Sequence, residues 1–193
     1  MREPSLSELT EDAQFVTAAR RGDRVAFGRL YDRYARMVHG VLLAKVPAGE
    51  VDDLVQDVFL LALRRLSTLR EIGSFGAWLA AIARNRANDF HRHSVPEDQL
   101  ADETLENDTK HPSASADHHS PAAAVLEAIK ALPDAYRETL ILRLVEGMTG
   151  PEIASRTGLT HGSVRVNLHR GMQQLRAKLG TNSSTQGPEL ETP

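Results

Sequence analysis

The sequence predicts an all-α protein of two small helical domains, an N-terminal helical bundle and a C-terminal helix-turn-helix domain, joined by a flexible acidic linker. Three observations lead there. Apolar residues recur at helical spacing in almost every structured segment, and no run sustains the two-residue alternation of a strand. Charge is segregated along the 193 residues: positions 1–94 hold 14 Lys/Arg and 12 Asp/Glu, positions 95–121 hold 1 and 7, and positions 122–180 hold 8 and 5. The net charge of −3 therefore hides two mildly basic pieces around an acidic stretch. That stretch is also too poor in apolar residues to offset the ordering of its backbone, which makes 95–121 a solvated linker. The expected divisions are residues 1–94, 95–121, 122–180 and a disordered polar tail, 181–193.

Each element has a local reason. Asp12–Arg20 reads as a short helix closed at Gly22, and Asp23 as the N-cap of a long helix to about Val46, ended by Pro47-Ala48-Gly49. Glu50–Leu69 makes a third helix, and Ser74 caps a fourth that runs to about His93. Ser120-Pro121 restarts order, an N-cap serine followed by proline at the first helical position. Helices over Pro121–Ala131 and Pro133–Glu146 follow, then a short one after Thr149 and a last one from His161 to about Leu179.

Composition removes several function classes. Without cysteine there is no disulfide framework and no thiolate metal site. No apolar run approaches the ~20 residues that span a bilayer, and Met1–Leu9 lacks the charged-then-apolar pattern of an export signal. A cytoplasmic protein without membrane insertion is expected. The carboxylates are scattered over helical surfaces, with neither a phosphate loop nor a nucleophile–base pair, so no enzyme activity and no cofactor are expected. His111, His118 and His119 with Asp117 invite a metal hypothesis. A histidine cluster in a linker is more often incidental, so no metal site is expected.

The C-terminal third carries the most specific pattern. Thr149-Gly150-Pro151-Glu152 has the form of a capping box, with Pro151 at the second helical position, where its missing N–H costs little. Ile153, Ala154 and Thr157 follow before a stop at Gly158; Leu159 plugs the turn and Thr160 caps the next helix. Helix, short glycine turn, helix is the DNA-reading arrangement. In the second helix Val164, Leu168, Met172, Leu175 and Leu179 form a core stripe. The opposite side carries Ser163, Val166, Arg170 and Gln173, flanked by Arg165, Asn167 and His169. Arginine matches guanine edges, asparagine adenine edges, and valine a thymine methyl. An isolated amphipathic helix would read as a solvated face; the capped helix and turn before it tip the reading to DNA.

In the N-terminal half, Glu50–Leu69 buries Leu54, Val55, Val58, Leu61, Ala62 and Leu66 and leaves Asp53, Gln56, Asp57, Leu60 and Arg64 on the other side. That side is either plain solvated surface or a docking face for a basic helical partner, and periodicity leaves both open. The helix after Ser74 buries Phe75, Leu79, Ile82, Ala83 and Phe90, with Arg84, Asn85, Asn88, His91 and Arg92 on its far side and Trp78 at the margin. Cations and amides beside aromatics suit a partly melted strand, although Phe75 and Trp78 themselves read better as core.

These residues resemble a known family. Asp52-Asp53-Leu54-Val55-Gln56-Asp57-Val58-Phe59 resembles the polymerase-binding helix of bacterial sigma factors, and Phe75, Trp78, Leu79, Ile82, Ala83, Arg84, Asn85 and Asp89 follow at the spacing of the promoter-melting segment. Leu132-Pro133, Tyr136-Arg137, Leu140, Glu152-Ile153-Ala154, Gly162-Ser163-Val164-Arg165 and Leu168-His169-Arg170 resemble the family's second conserved domain. With these two domains and a linker alone, the chain resembles an extracytoplasmic-function sigma factor of the sigma-70 family. The resemblance implies that Asp52, Asp53, Gln56, Asp57 and Leu60 dock on the coiled coil of the largest subunit of core RNA polymerase. It implies that Arg84, Asn85, Asn88 and Arg92 hold the minus-ten element, with Leu69–Gly76 supplying a pocket for a flipped base. Ser163, Arg165, Val166, Asn167, His169 and Arg170 would then read the minus-thirty-five element of promoter DNA. It also implies a monomer within the holoenzyme and control by an anti-sigma factor. The chain departs from the pattern at Asn167 and Met172, where basic residues are usual, and at Gly150-Pro151.

Two elements about two helical turns apart lie ~70 Å from one another. The linker spans ~90 Å fully extended but only ~30 Å relaxed, so polymerase must hold the domains apart and the free chain should bind DNA weakly. Two other readings compete: a dimeric helix-turn-helix regulator, for which no dimerisation helix is visible, and a sigma-mimic adaptor that traps an anti-sigma protein, for which no receiver domain is visible.

Overall fold

The computed structural model describes residues 6–94 and 121–183. Eight α-helices run in the order α1 Leu6–Arg20, α2 Arg24–Leu43, α3 Val51–Arg65, α4 Phe75–Ser94, α5 Pro121–Lys130, α6 Asp134–Leu144, α7 Gly150–Thr157 and α8 His161–Ser183, and no strand occurs among the described residues. The first four form the N-terminal bundle and the last four the C-terminal domain. Pro121 opens α5, so it belongs to that helix and not to the linker. The linker histidines His111, His118 and His119, Asp117, and residues 184–193 of the tail lie outside the described residues.

The N-terminal bundle is built around α2. Asp23 accepts hydrogen bonds from the Val25 and Ala26 amides, the expected N-cap. The helix buries Leu30, Met37, Val38, Val41 and Leu42, which pack between α1, α3 and α4. It ends at Leu43, short of the expected Val46, because residues 44–46 tighten into turns on the Gly40 and Leu42 carbonyls. α1 begins six residues before the expected Asp12. Arg33 of α2 grips it through Glu11 at 2.8 Å and Asp12 at 2.6 Å. Asp12 is buried and accepts the Tyr34 hydroxyl at 2.6 Å, and burial beside this carboxylate pushes the Tyr34 phenol up. α3 gives way after Arg65 to a 3-10 turn, Leu66–Thr68, whose carbonyls Arg20 holds.

In the C-terminal domain α8 is the long wall against which α5, α6 and α7 pack. Val164 and Leu175 are buried, and Leu168, Met172 and Leu179 pack at the core margin, as the stripe predicts. Gly171 lets α6 approach: a Cβ there would lie 2.9 Å from Leu140 and 3.1 Å from Tyr136.

The two domains do not stand apart. α6 and α7 lie against α2 and α4, and one continuous hydrophobic core runs from Val16 to Leu175. The expectation of separated domains took account of the linker and its relaxed reach. It did not weigh the fit between the two folded faces.

Candidate nucleic-acid interface

The capping box forms as its residue types require. The Thr149 hydroxyl accepts from the Glu152 amide at 3.4 Å, and the Glu152 carboxylate accepts from the Thr149 amide at 2.8 Å. These bonds hold the Glu152 carboxyl below the usual carboxylate range, the Thr149 backbone N–H being the largest cause. Gly158 ends α7 with φ +77°, a left-handed conformation that admits glycine readily. Leu159 packs against the core, and Thr160 accepts from the Ser163 amide at 3.1 Å to start α8.

That turn aims the first half of α8 outward. Ser163, Arg165, Val166, His169 and Arg170 are all exposed, and Asn167 is half-buried at the edge. Arg165, Val166, His169 and Arg170 line one open concavity. Val166 is 41% exposed, a large apolar side chain on a face that otherwise carries cations and polar groups. None of Arg165, His169 and Arg170 enters an ion pair with another described residue. Base-edge donors and a methyl-sized apolar contact thus share one convex helix of major-groove width.

On α4 the predicted residues divide. Asn85, Asn88 and Arg92 are exposed along one strip, Arg92 paired with Asp89 at 2.5 Å. Arg84 faces the C-terminal domain, giving Nη2 and Nε to Glu138 of α6 at 2.6 and 3.0 Å, and Nη2 to the Thr157 carbonyl at 3.5 Å. This pairing raises its pKa. His91 lies within 2.7 Å of the Lys45 carbonyl. In the loop Leu69–Gly76, Leu69, Phe75 and Gly76 are buried, leaving Arg70, Glu71 and Gly73 exposed. The Ser74 hydroxyl donates to Glu71. Phe75 and Trp78 stack at 5.9 Å, Phe75 in the core and Trp78 packed against it.

The acidic face of α3 is intact. Asp52, Asp53, Gln56, Asp57 and Leu60 are all exposed, and the apolar periodicity places their backbone on firm packing below, with Phe59 against Tyr31 at 4.6 Å. Asp57 forms an ion pair with Arg86 of α4. Sequence reasoning missed Leu63, 46% exposed beside the 53% exposed Leu60; its position one turn on was the available signal. It also missed Glu138 and Glu146, two buried acids whose place near Leu140, Ile141 and Leu142 marked them as needing partners.

The family model "Sigma-70 region 2" matches residues 30–95, and "Sigma-70, region 4" matches residues 122–175. The chain is 35% identical over 165 residues to the RNA polymerase sigma factor CarQ of Myxococcus xanthus, covering 83% of this chain and 93% of that one. It is 28% identical over 185 residues to the ECF RNA polymerase sigma-E factor of Escherichia coli K12, covering 90% and 97%. Among solved structures, CnrH in complex with the cytosolic domain of CnrY aligns with a TM-score of 0.60 at 25% identity, over 89% of this chain and 98% of that one. The sigma factor RpoE of Bartonella quintana, solved with the anti-sigma factor NepR, shares the fold with a TM-score of 0.54 at 21% identity, over 80% and 96%.

Proposed function

Because the chain belongs to the extracytoplasmic-function group of RNA polymerase sigma factors, we propose that its two ends divide promoter recognition between them. Residues 1–94 bind core polymerase through Asp52, Asp53, Gln56, Asp57 and Leu60 and hold the opening minus-ten element with Arg84, Asn85, Asn88 and Arg92. Residues 122–180 read the minus-thirty-five element in duplex form with Ser163, Arg165, Val166, Asn167, His169 and Arg170. The observation that carries this reading is the exposed, ion-pair-free reading face of α8 behind a fully formed capping box and glycine turn. The exposed acids and leucines of α3 support the polymerase side, since charges steer an encounter and apolar side chains add contact area.

The protein acts in the cytoplasm, where the polymerase is; no helix among the described residues is long and apolar enough to cross a membrane. An anti-sigma protein controls it. The complex of the similar CnrH with the cytosolic domain of CnrY supports a protein antagonist here too.

Purified chain plus bacterial core polymerase should start transcription from a specific promoter, while the chain alone binds that DNA weakly. Tight binding by the chain alone, with polymerase adding nothing, would overturn the proposal in favour of an independent helix-turn-helix regulator.

A further inference from the structure

We propose that the free chain closes on itself, its C-terminal domain seated on its N-terminal domain along a glycine-lined seam, and that this closure withholds Arg84 from DNA until the seam opens. The consequence for Arg84 rests on the reading of α4 as a promoter-holding helix; the closure itself rests on three kinds of contact.

The first is backbone approach. Glycines stand on both sides of the seam where a Cβ has no room. On Gly40 of α2 it would lie 2.7 Å from Leu142 and 2.8 Å from Glu146. On Gly76 of α4 it would meet the Arg156 carbonyl oxygen at 2.8 Å, and on Gly158 the Ala77 Cβ at 2.7 Å. Chance apposition of two surfaces does not put three side-chain-free positions at its tightest points.

The second is buried charge. The Glu138 and Glu146 side chains are only 12% and 10% exposed, and their cationic partners all come from the other domain. Glu138 takes Arg84; Glu146 takes His39 at 2.6 Å and Arg36 at 4.0 Å. A carboxylate in such a place requires a partner, and only the closed form supplies one. The third is the cations of the C-terminal domain that end on N-terminal carbonyls. Arg137 reaches Ala44 at 3.3 Å, Lys130 reaches Val46 at 3.4 Å, and Arg156 reaches Arg33 at 3.0 Å. Ala44 and Val46 lie at the end of α2, where helix carbonyls have no helical donor.

Because the chain has no native cysteine, Gly40→Cys with Glu146→Cys supplies its only thiols, placed within disulfide reach across the seam. Mild oxidation of the free full-length protein should give an intramolecular disulfide in most molecules. The oxidised protein should lose at least ten-fold of its polymerase-dependent initiation and recover it with reductant. No more disulfide than an exposed control pair placed away from the seam, or an oxidised protein as active as the reduced one, would overturn the proposal. A second variant avoids the crosslink. Gly40→Glu sets a carboxylate against Glu146 and should lower energy transfer between dyes on Gly28→Cys and Gln173→Cys; unchanged transfer would also overturn it. If wild-type chain fails to initiate with polymerase, the promoter reading and the withholding of Arg84 fall together. A disulfide that forms but leaves full activity sinks the withholding alone.

Discussion

Arg84 of α4 and Glu138 of α6 form a two-point ion pair across the two halves of the chain, with contacts of 2.6 and 3.0 Å and the carboxylate almost wholly buried. Removing the cation strands a buried acid, and a charge-assisted pair of this kind contributes about 2 kcal/mol. Arg84→Ala should lower stability by about that amount in a denaturant titration. Glu138→Gln, which keeps an acceptor, should lower it by less. Equal stability of wild type and Arg84→Ala would show that the pair is held no better than hydrated charges.

The His39–Glu146 contact makes stability depend on pH. The Glu146 hydrogen bond, the largest influence, lifts the His39 pKa above its ordinary 6.5, against the opposing effect of burial and with smaller help from Asp52. A raised folded pKa means that the contribution is complete below about pH 6.5 and is lost as pH rises through the folded value. Melting temperature should therefore decline on the alkaline side of neutrality more steeply in wild type than in His39→Gln. Parallel profiles would remove His39 from the account.

The turn of the helix-turn-helix offers a local test. Thr149→Ala deletes the hydroxyl half of the capping box and should cost about 1 kcal/mol. Gly158→Ala should cost more than a helix-capping change alone. It puts a side chain on a left-handed residue and a Cβ against Ala77. Circular-dichroism melts of the two variants check the order.

On α3, Asp53→Arg should weaken association with core polymerase at least ten-fold while leaving the melting temperature unchanged, because Asp53 is exposed and makes no ion pair with a described residue. Asp57→Arg is the less clean probe, since it also breaks the pair with Arg86. Retained polymerase binding by Asp53→Arg would move the docking face elsewhere.

On α8, Arg170→Ala should cost ~1–3 kcal/mol at promoters whose upstream base it contacts bidentately and little at others. Binding assays of the holoenzyme across a set of upstream sequences would show this. A uniform loss across all of them would mark a phosphate contact instead.

The order of helices and the helix-turn-helix were legible in the sequence because their signals are local. Asp23, Thr149, Glu152 and Gly158 each act within four residues of their own position. Helix ends were less legible: α2 stops at Leu43, where the choice between another helical turn and a tightened one depends on what receives the Ala44 and Val46 carbonyls. The face of α3 was readable as a pattern, yet Leu63 was overlooked because one apolar residue on a polar side carries no signal until its exposure is known. Arg84 shows the deeper limit. Its place on the polar side of α4 was correct, but its partner is 54 positions away across a segment whose composition argues for separation.

α8 is 23 residues long, and its outward-facing candidates all fall between Ser163 and Arg170, whereas Gly171 and Leu175 further along are walls of the core. One continuous helix thus keeps its vocabulary and its foundations at opposite ends. Substitutions at 163, 165, 166, 169 and 170 change what is offered to a groove without moving a buried atom. A lineage could exchange one promoter dialect for another along this stretch by single steps, each as foldable as the last.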